Sequence, residues 1–172
     1  MQDRYLFCGK RIDNGEWVIG NRIDDGVTGQ VFIHAVGNSV NESDKVGEEG
    51  CLQFVAFEVA PSTICQFTGL KDKNGKLIFD GDIVELLGHR GVIEYVCGGF
   101  GIGYRKNIDW EEIQANIMRV TGCENILYAC ENDNYISLWE IYWNFNDEYN
   151  YLTTVEVIGN KFDNPELLEV EE

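Results

Sequence analysis

The sequence predicts a mainly β protein, a β-rich α+β fold of antiparallel strands with one short helix near residues 110–120. Three observations carry this. Short runs of β-branched and aromatic residues alternate at period two, turn signals such as Asp13-Asn14-Gly15, Asp24-Asp25-Gly26 and Asn74-Gly75 separate them, and only one stretch combines a cap with helical spacing.

Taken in order, the first strand signal is residues 16–23, which follows Asp13-Asn14-Gly15 and places Trp17, Ile19 and Ile23 on one face. Residues 31–36 form the next, with Val31, Ile33 and Ala35 opposite Phe32, His34 and Val36. Residues 52–59 are apolar on both faces, the pattern of a central strand covered on both sides. Between these two lies a polar loop over residues 37–50, rich in Gly, Asn, Ser and acidic side chains.

Further on, Asp80-Gly81-Asp82 opens a turn before a strand at Ile83, since Asp caps backbone N–H groups and Gly takes positive φ. Residues 83–87 and 91–96 read as a hairpin about Gly88-His89-Arg90, and Cys97-Gly98-Gly99 turns into a further strand over residues 100–104. Three short antiparallel strands with tight Gly turns resemble the start of a small SH3-like barrel. Asp109 as cap, with Glu112 three residues on and Ile113 and Ile117 at i, i+4, predicts the helix, which stops near Thr121-Gly122. Residues 126–130, the aromatic run 136–143 and residues 154–158 read as strands, with residues 144–151 turn-like or a short helical piece and residues 161–172 an acidic tail segment. The whole divides into an N-terminal β segment, 1–64, and a barrel-containing part, 65–172, packed as one compact body.

Charge narrows the function classes. Thirty acidic against thirteen basic residues give a net charge of −17, which repels phosphate backbones and argues against direct nucleic-acid binding. The densest basic stretch, Lys71, Lys73 and Lys76, flanks the Asn74-Gly75 turn and reads as edge protection rather than a phosphate site. The N-terminal residues lack the apolar core of a signal peptide, and no run approaches the ~20 apolar residues of a membrane span. The expected compartment is therefore the cytoplasm, with no membrane partner. There the six cysteines (Cys8, Cys51, Cys65, Cys97, Cys123 and Cys130) read as small thiols, with no Cys-x-x-Cys pair and neither His34 nor His89 at ligand spacing to them.

Catalytic and cofactor chemistry finds no foothold in the pattern. Asp80 and Asp82 lack further oxygen ligands at a recognisable offset, so no metal site is assigned. No nucleophile elbow, Walker loop or His-Glu-x-x-His occurs, and the glycines from Gly98 to Gly103 miss dinucleotide-binding spacing and read as a twisted strand. No catalytic residue, metal or cofactor is expected. The binding candidate is aromatic: Trp139, Tyr142, Trp143, Phe145 and Tyr149 crowd together among Glu140, Asp147 and Glu148. Members left exposed would suit a protein interface.

Two stretches carry a family resemblance. Gly69-Leu70-Lys71-Asp72-Lys73-Asn74-Gly75-Lys76-Leu77-Ile78-Phe79-Asp80-Gly81-Asp82-Ile83-Val84 and Val155-Glu156-Val157-Ile158-Gly159-Asn160-Lys161-Phe162-Asp163-Asn164-Pro165-Glu166-Leu167-Leu168 closely resemble the YopX family, as does the opening from Cys8 to Gly20. The resemblance implies a phage or prophage origin and a β-rich fold, and offers no catalytic site to carry over. Two functions remain. One is an acidic accessory module that binds a host or phage protein, with mimicry of DNA's negative charge as a variant. The other is a self-assembling scaffold whose strand edges and aromatics pair between copies.

Overall fold

A computed structural model of the chain describes residues 5–35, 55–96, 98–105, 109, 111–112, 115–116, 119, 134–145 and 151–169. The expected loop at 37–50, the expected strand at 126–130 and Tyr149 lie outside them. The fold is β-rich and antiparallel with one well-defined helix. The chain divides into two compact units, Met1–Phe67 and Thr68–Glu172.

In the first unit, β1 (Leu6–Lys10), β2 (Trp17–Asp24), β3 (Val31–Ala35) and β4 (Ala56–Val59) pair antiparallel in sequence order. The start of β5 (Cys65–Asp72) pairs with the other side of β1. Alternation decides which side chains reach the core. Val31, Ile33 and Ala35, which the sequence places on one face, are buried with Val59, and in β2 the buried apolar residue is Val18. Trp17 and Ile19 lie on the opposite, half-covered face.

The expectation of a central, doubly covered strand near 52–59 is corrected. The strand described there, β4, ends the sheet, and three of its four residues are only half-buried. Its outer side is engaged all the same, because the sheet curls into a half-barrel. Arg11, just past β1, bridges Val59; Ile12 N–H donates to Glu58 O at 3.0 Å, and Ala60 N–H to Lys10 O at 2.9 Å. Curling of this kind occupies hydrogen-bonding groups that an open edge would expose.

In the second unit, β7 (Asp82–Leu86), β8 (His89–Val96), β9 (Gly99–Gly103), β10 (Tyr135–Ser137) and β12 (Val155–Asn160) form a five-stranded antiparallel sheet ordered β10-β9-β8-β7-β12. The end of β5 pairs with β6 (Leu77–Phe79) and, in parallel, with the two-residue β11 (Tyr151–Leu152). The core gathers Ile78, Val84, Leu86, Ile93, Ile102, Ile136, Leu138, Ile141 and Leu152.

Three sequence expectations change here. The β7–β8 hairpin turns on Leu87-Gly88, not on Gly88-His89-Arg90, because Leu86 pairs with His89 and Glu85 with Arg90. Both turn residues have positive φ, 52° and 91°, the backbone of the tight two-residue turn that matches strand twist. The run 136–143 is not a strand. After three residues of β10 it becomes the helix α1 (Leu138–Phe145), with Ser137 Oγ accepting from Trp139 N–H at 3.2 Å. Leu138 and Ile141, three apart, both reach the core, a helical rather than a period-two pattern. Residues 144 and 145, for which a turn or a short helical piece is expected, complete this helix.

The predicted cap near 110 is present. Asp109 Oδ1 accepts from the N–H groups of Glu111 and Glu112 at 3.0 and 3.1 Å, and residues 111, 112, 115, 116 and 119 are helical.

Candidate functional site

The aromatic site is built on α1. The helix packs against β9, β10 and β11, burying Leu138 and Ile141. This packing turns Trp139 outward, where it is 62% exposed. Tyr142, one turn on, rests partly on the core and stacks on Trp139, with ring centroids 5.7 Å apart and planes 17° apart. An indole braced in this way loses little further freedom on contacting a partner, which is what makes a rigid aromatic an effective anchor. Glu140 sits between them in sequence. Trp143 and Phe145 belong to the same helix by backbone, their side chains lying outside the described part, as does the whole of Tyr149.

A second aromatic pair, one ring exposed and one half-buried, lies at the end of the β8–β9 hairpin. Tyr95, 60% exposed, meets its cross-strand partner Phe100 edge to face at 5.1 Å. In β9, Gly101 serves packing. A Cβ at Gly101 would fall 2.1 Å from the Tyr135 ring, which lies across the strand and donates its hydroxyl to Gly99 O at 3.3 Å. The glycine-rich run is thus a strand that admits an aromatic ring.

Acidic residues near the turns act on the backbone. Asp72 is fully buried; Oδ1 accepts from Asn74 and Lys76 N–H at 2.8 and 2.9 Å, and Oδ2 accepts from Val157 N–H at 3.0 Å. Sequence reading placed Asp72 only as an acid within a lysine stretch; its position two residues before Asn74-Gly75 was the available signal. At Asp80-Gly81-Asp82, Asp82 Oδ2 accepts from Phe79 N–H at 2.8 Å, while Gly81 is held by Ile93 O and Lys161 N–H. Burial pushes the Asp82 carboxyl up to about 7, outweighing the Phe79 bond and the Lys76 charge. Burial also raises Asp80, against the pull of Lys161.

The basic stretch is engaged locally. Lys73 Nζ lies 2.5 Å from Glu156 Oε2, which raises the lysine and lowers the carboxyl. Cys8 and Cys65 are buried, and the other four cysteines lie outside the described residues. His34 is a half-buried residue of β3 and His89 opens β8. Among the described residues, no group of three or more His, Cys, Asp or Glu side chains is placed to hold a metal, and no helix is long and apolar enough to cross a membrane.

The family model described as YopX protein matches residues 28–169. The crystal structure of protein EF1440 from Enterococcus faecalis is similar at 23% identity, covering 95% of this chain and 96% of that one, with a TM-score of 0.41. No curated protein matches the chain.

Proposed function

The chain belongs to the YopX family, and we propose that this member is a non-enzymatic, acidic protein-interaction module of phage or prophage origin, acting in the bacterial cytoplasm on a host protein. The observation that carries the reading is Trp139. It stands exposed on a helix whose other face is locked into the core, and it is braced by Tyr142. Exposed, pre-positioned Trp and Tyr side chains are the residue types that dominate protein interfaces. The net charge of −17 adds the partner's expected character: a basic surface, drawn in by long-range attraction.

Affinity capture from bacterial lysate, washed at low and then high salt, tests this. A specific protein held at low salt and shed at high salt fits an acidic module. Capture that ignores salt counts against it.

Self-assembly through strand edges has less support. The outer edge of β12 is engaged by the β5–β6 turn, since Lys73 N–H donates to Val155 O at 2.9 Å and Asp72 accepts from Val157 N–H. The opposite edge, β10, is three residues long and passes directly into α1. Both are devices that limit edge pairing. Light scattering behind a sizing column separates the two readings: a monomer at micromolar concentration removes the scaffold.

A further inference from the structure

We propose that Cys8 and Cys65 form a redox pair that closes to a cross-strand disulfide when the protein meets a small-molecule disulfide. The two residues are direct partners in the antiparallel ladder between β1 and β5, whose register is Phe7 with Gln66 and Cys8 with Cys65. Directly opposed residues on antiparallel strands project to the same face. Their Cα atoms are spaced by about 5.5 or about 4.5 Å, according to whether the pair exchanges backbone hydrogen bonds. Either value falls within the roughly 4.4–6.8 Å that a disulfide spans, and the shorter brings the Cβ atoms closer. Both stand as thiols, 8% and 3% exposed, so neighbouring protein rather than water confines them to one another's vicinity.

Access follows from the ladder. The β1–β5 pairing holds two residue pairs against the five of β1–β2, so it can open briefly while the rest of the half-barrel stays paired. Cys65 Sγ donates to Thr63 O at 3.4 Å, a weak bond whose loss costs little.

The reaction is thiol–disulfide exchange. One cysteine loses its proton to solvent, and its thiolate attacks a sulfur of the small disulfide, breaking that S–S bond and releasing one small thiolate. The second cysteine, deprotonated in turn, attacks the protein sulfur of the mixed disulfide, forming the Cys8–Cys65 bond and expelling the other small thiolate. Two electrons pass from the protein thiols to the small disulfide, which leaves as two thiols. A bridge between adjacent strands departs from relaxed disulfide geometry, and strained bridges are the readily reduced ones. Such a bond would form and reverse with the redox state of a reducing compartment.

The test incubates the folded full-length chain with oxidised glutathione, blocks remaining thiols with an alkylating agent and maps peptides without reduction. The expected product is the Cys8 peptide joined to the Cys65 peptide, removed by dithiothreitol. In urea that linkage should fall several-fold as the six cysteines mix. Cys8→Ser and Cys65→Ser should each leave the other residue alkylated or carrying a single glutathione. The proposal is overturned if Cys8 and Cys65 are modified separately in the folded wild-type chain, or if the linkage is as abundant in urea. Both of those readings need only the wild-type protein, so a serine variant that misfolds does not obscure the result.

Discussion

The N–H of Val157 donates to Asp72 Oδ2 at 3.0 Å, across 85 residues of sequence. The other side-chain oxygen of Asp72 holds Asn74 and Lys76, so one buried side chain joins the β5–β6 turn to the edge of β12. Asp72→Ala leaves three backbone donors without their acceptor, and each lost partner in a buried setting costs about 1–3 kcal/mol. We expect a loss of about 3 kcal/mol or more by urea denaturation. Asp72→Asn, which keeps one acceptor oxygen, should lose less.

Stability should fall as pH rises toward neutrality. Burial raises the Asp82 carboxyl from 3.8 to about 7, so the folded protein keeps a proton that the unfolded chain gives up above about pH 4. A raised folded-state value contributes stability that is complete below the unfolded value and is lost as pH passes through the folded one. The window is thus roughly pH 4–7, and the effect is on the order of a few kcal/mol at most. Asp82→Asn retains an oxygen to accept from Phe79 N–H. It should match the wild type below about pH 4 and exceed it at pH 8 in chemical denaturation. A variant with the wild-type pH slope would assign the effect to other acids.

The two faces of α1 should respond to different degrees. Ile141, fully buried in the core, is expected to cost about 2–5 kcal/mol on replacement by alanine. Trp139→Ala removes an exposed ring and one stacked contact, and should cost about 1 kcal/mol or less. Ser137→Ala removes the bond to Trp139 N–H and should cost about 1 kcal/mol. Thermal unfolding of the three variants checks the order.

At Gly101 the constraint is space. Gly101→Ala would drive a methyl group into the Tyr135 ring and should destabilise the protein by about 1–3 kcal/mol. Combining it with Tyr135→Ala should be less costly than the sum of the two single changes, because the clash has gone. Additive losses would mean that the ring does not lie against the glycine.

Much of the strand pattern was legible because β3, β7, β8 and β12 alternate or are continuously apolar between clear turn residues. The 138–143 stretch reads as a strand for a physical reason. Its aromatic, β-branched composition suits a strand, yet Ser137 and Glu140 match the S-x-x-E pattern of a helix start, and Leu138 with Ile141 gives the helical spacing. Tertiary packing against β9 and β10 then favours helix. The position of β4 was not readable, since an apolar run does not reveal whether its strand lies at the centre or the end of a sheet. The Asp72 clamp was hidden for a similar reason: its partner Val157 is fixed only by sheet register. Of the aromatic site, the sequence indicated the cluster, while the division into a buried and an exposed face needed the helix.

The most direct test of the central claim is calorimetric titration of a captured partner into the wild-type protein and into Trp139→Ala, each at low and high salt. An acidic module anchored by Trp139 predicts binding to the wild type that weakens as salt rises, and a loss of at least tenfold in affinity for the variant, with unchanged thermal unfolding up to the small cost given above. Equal affinity for the two proteins, or affinity indifferent to salt, would contradict it.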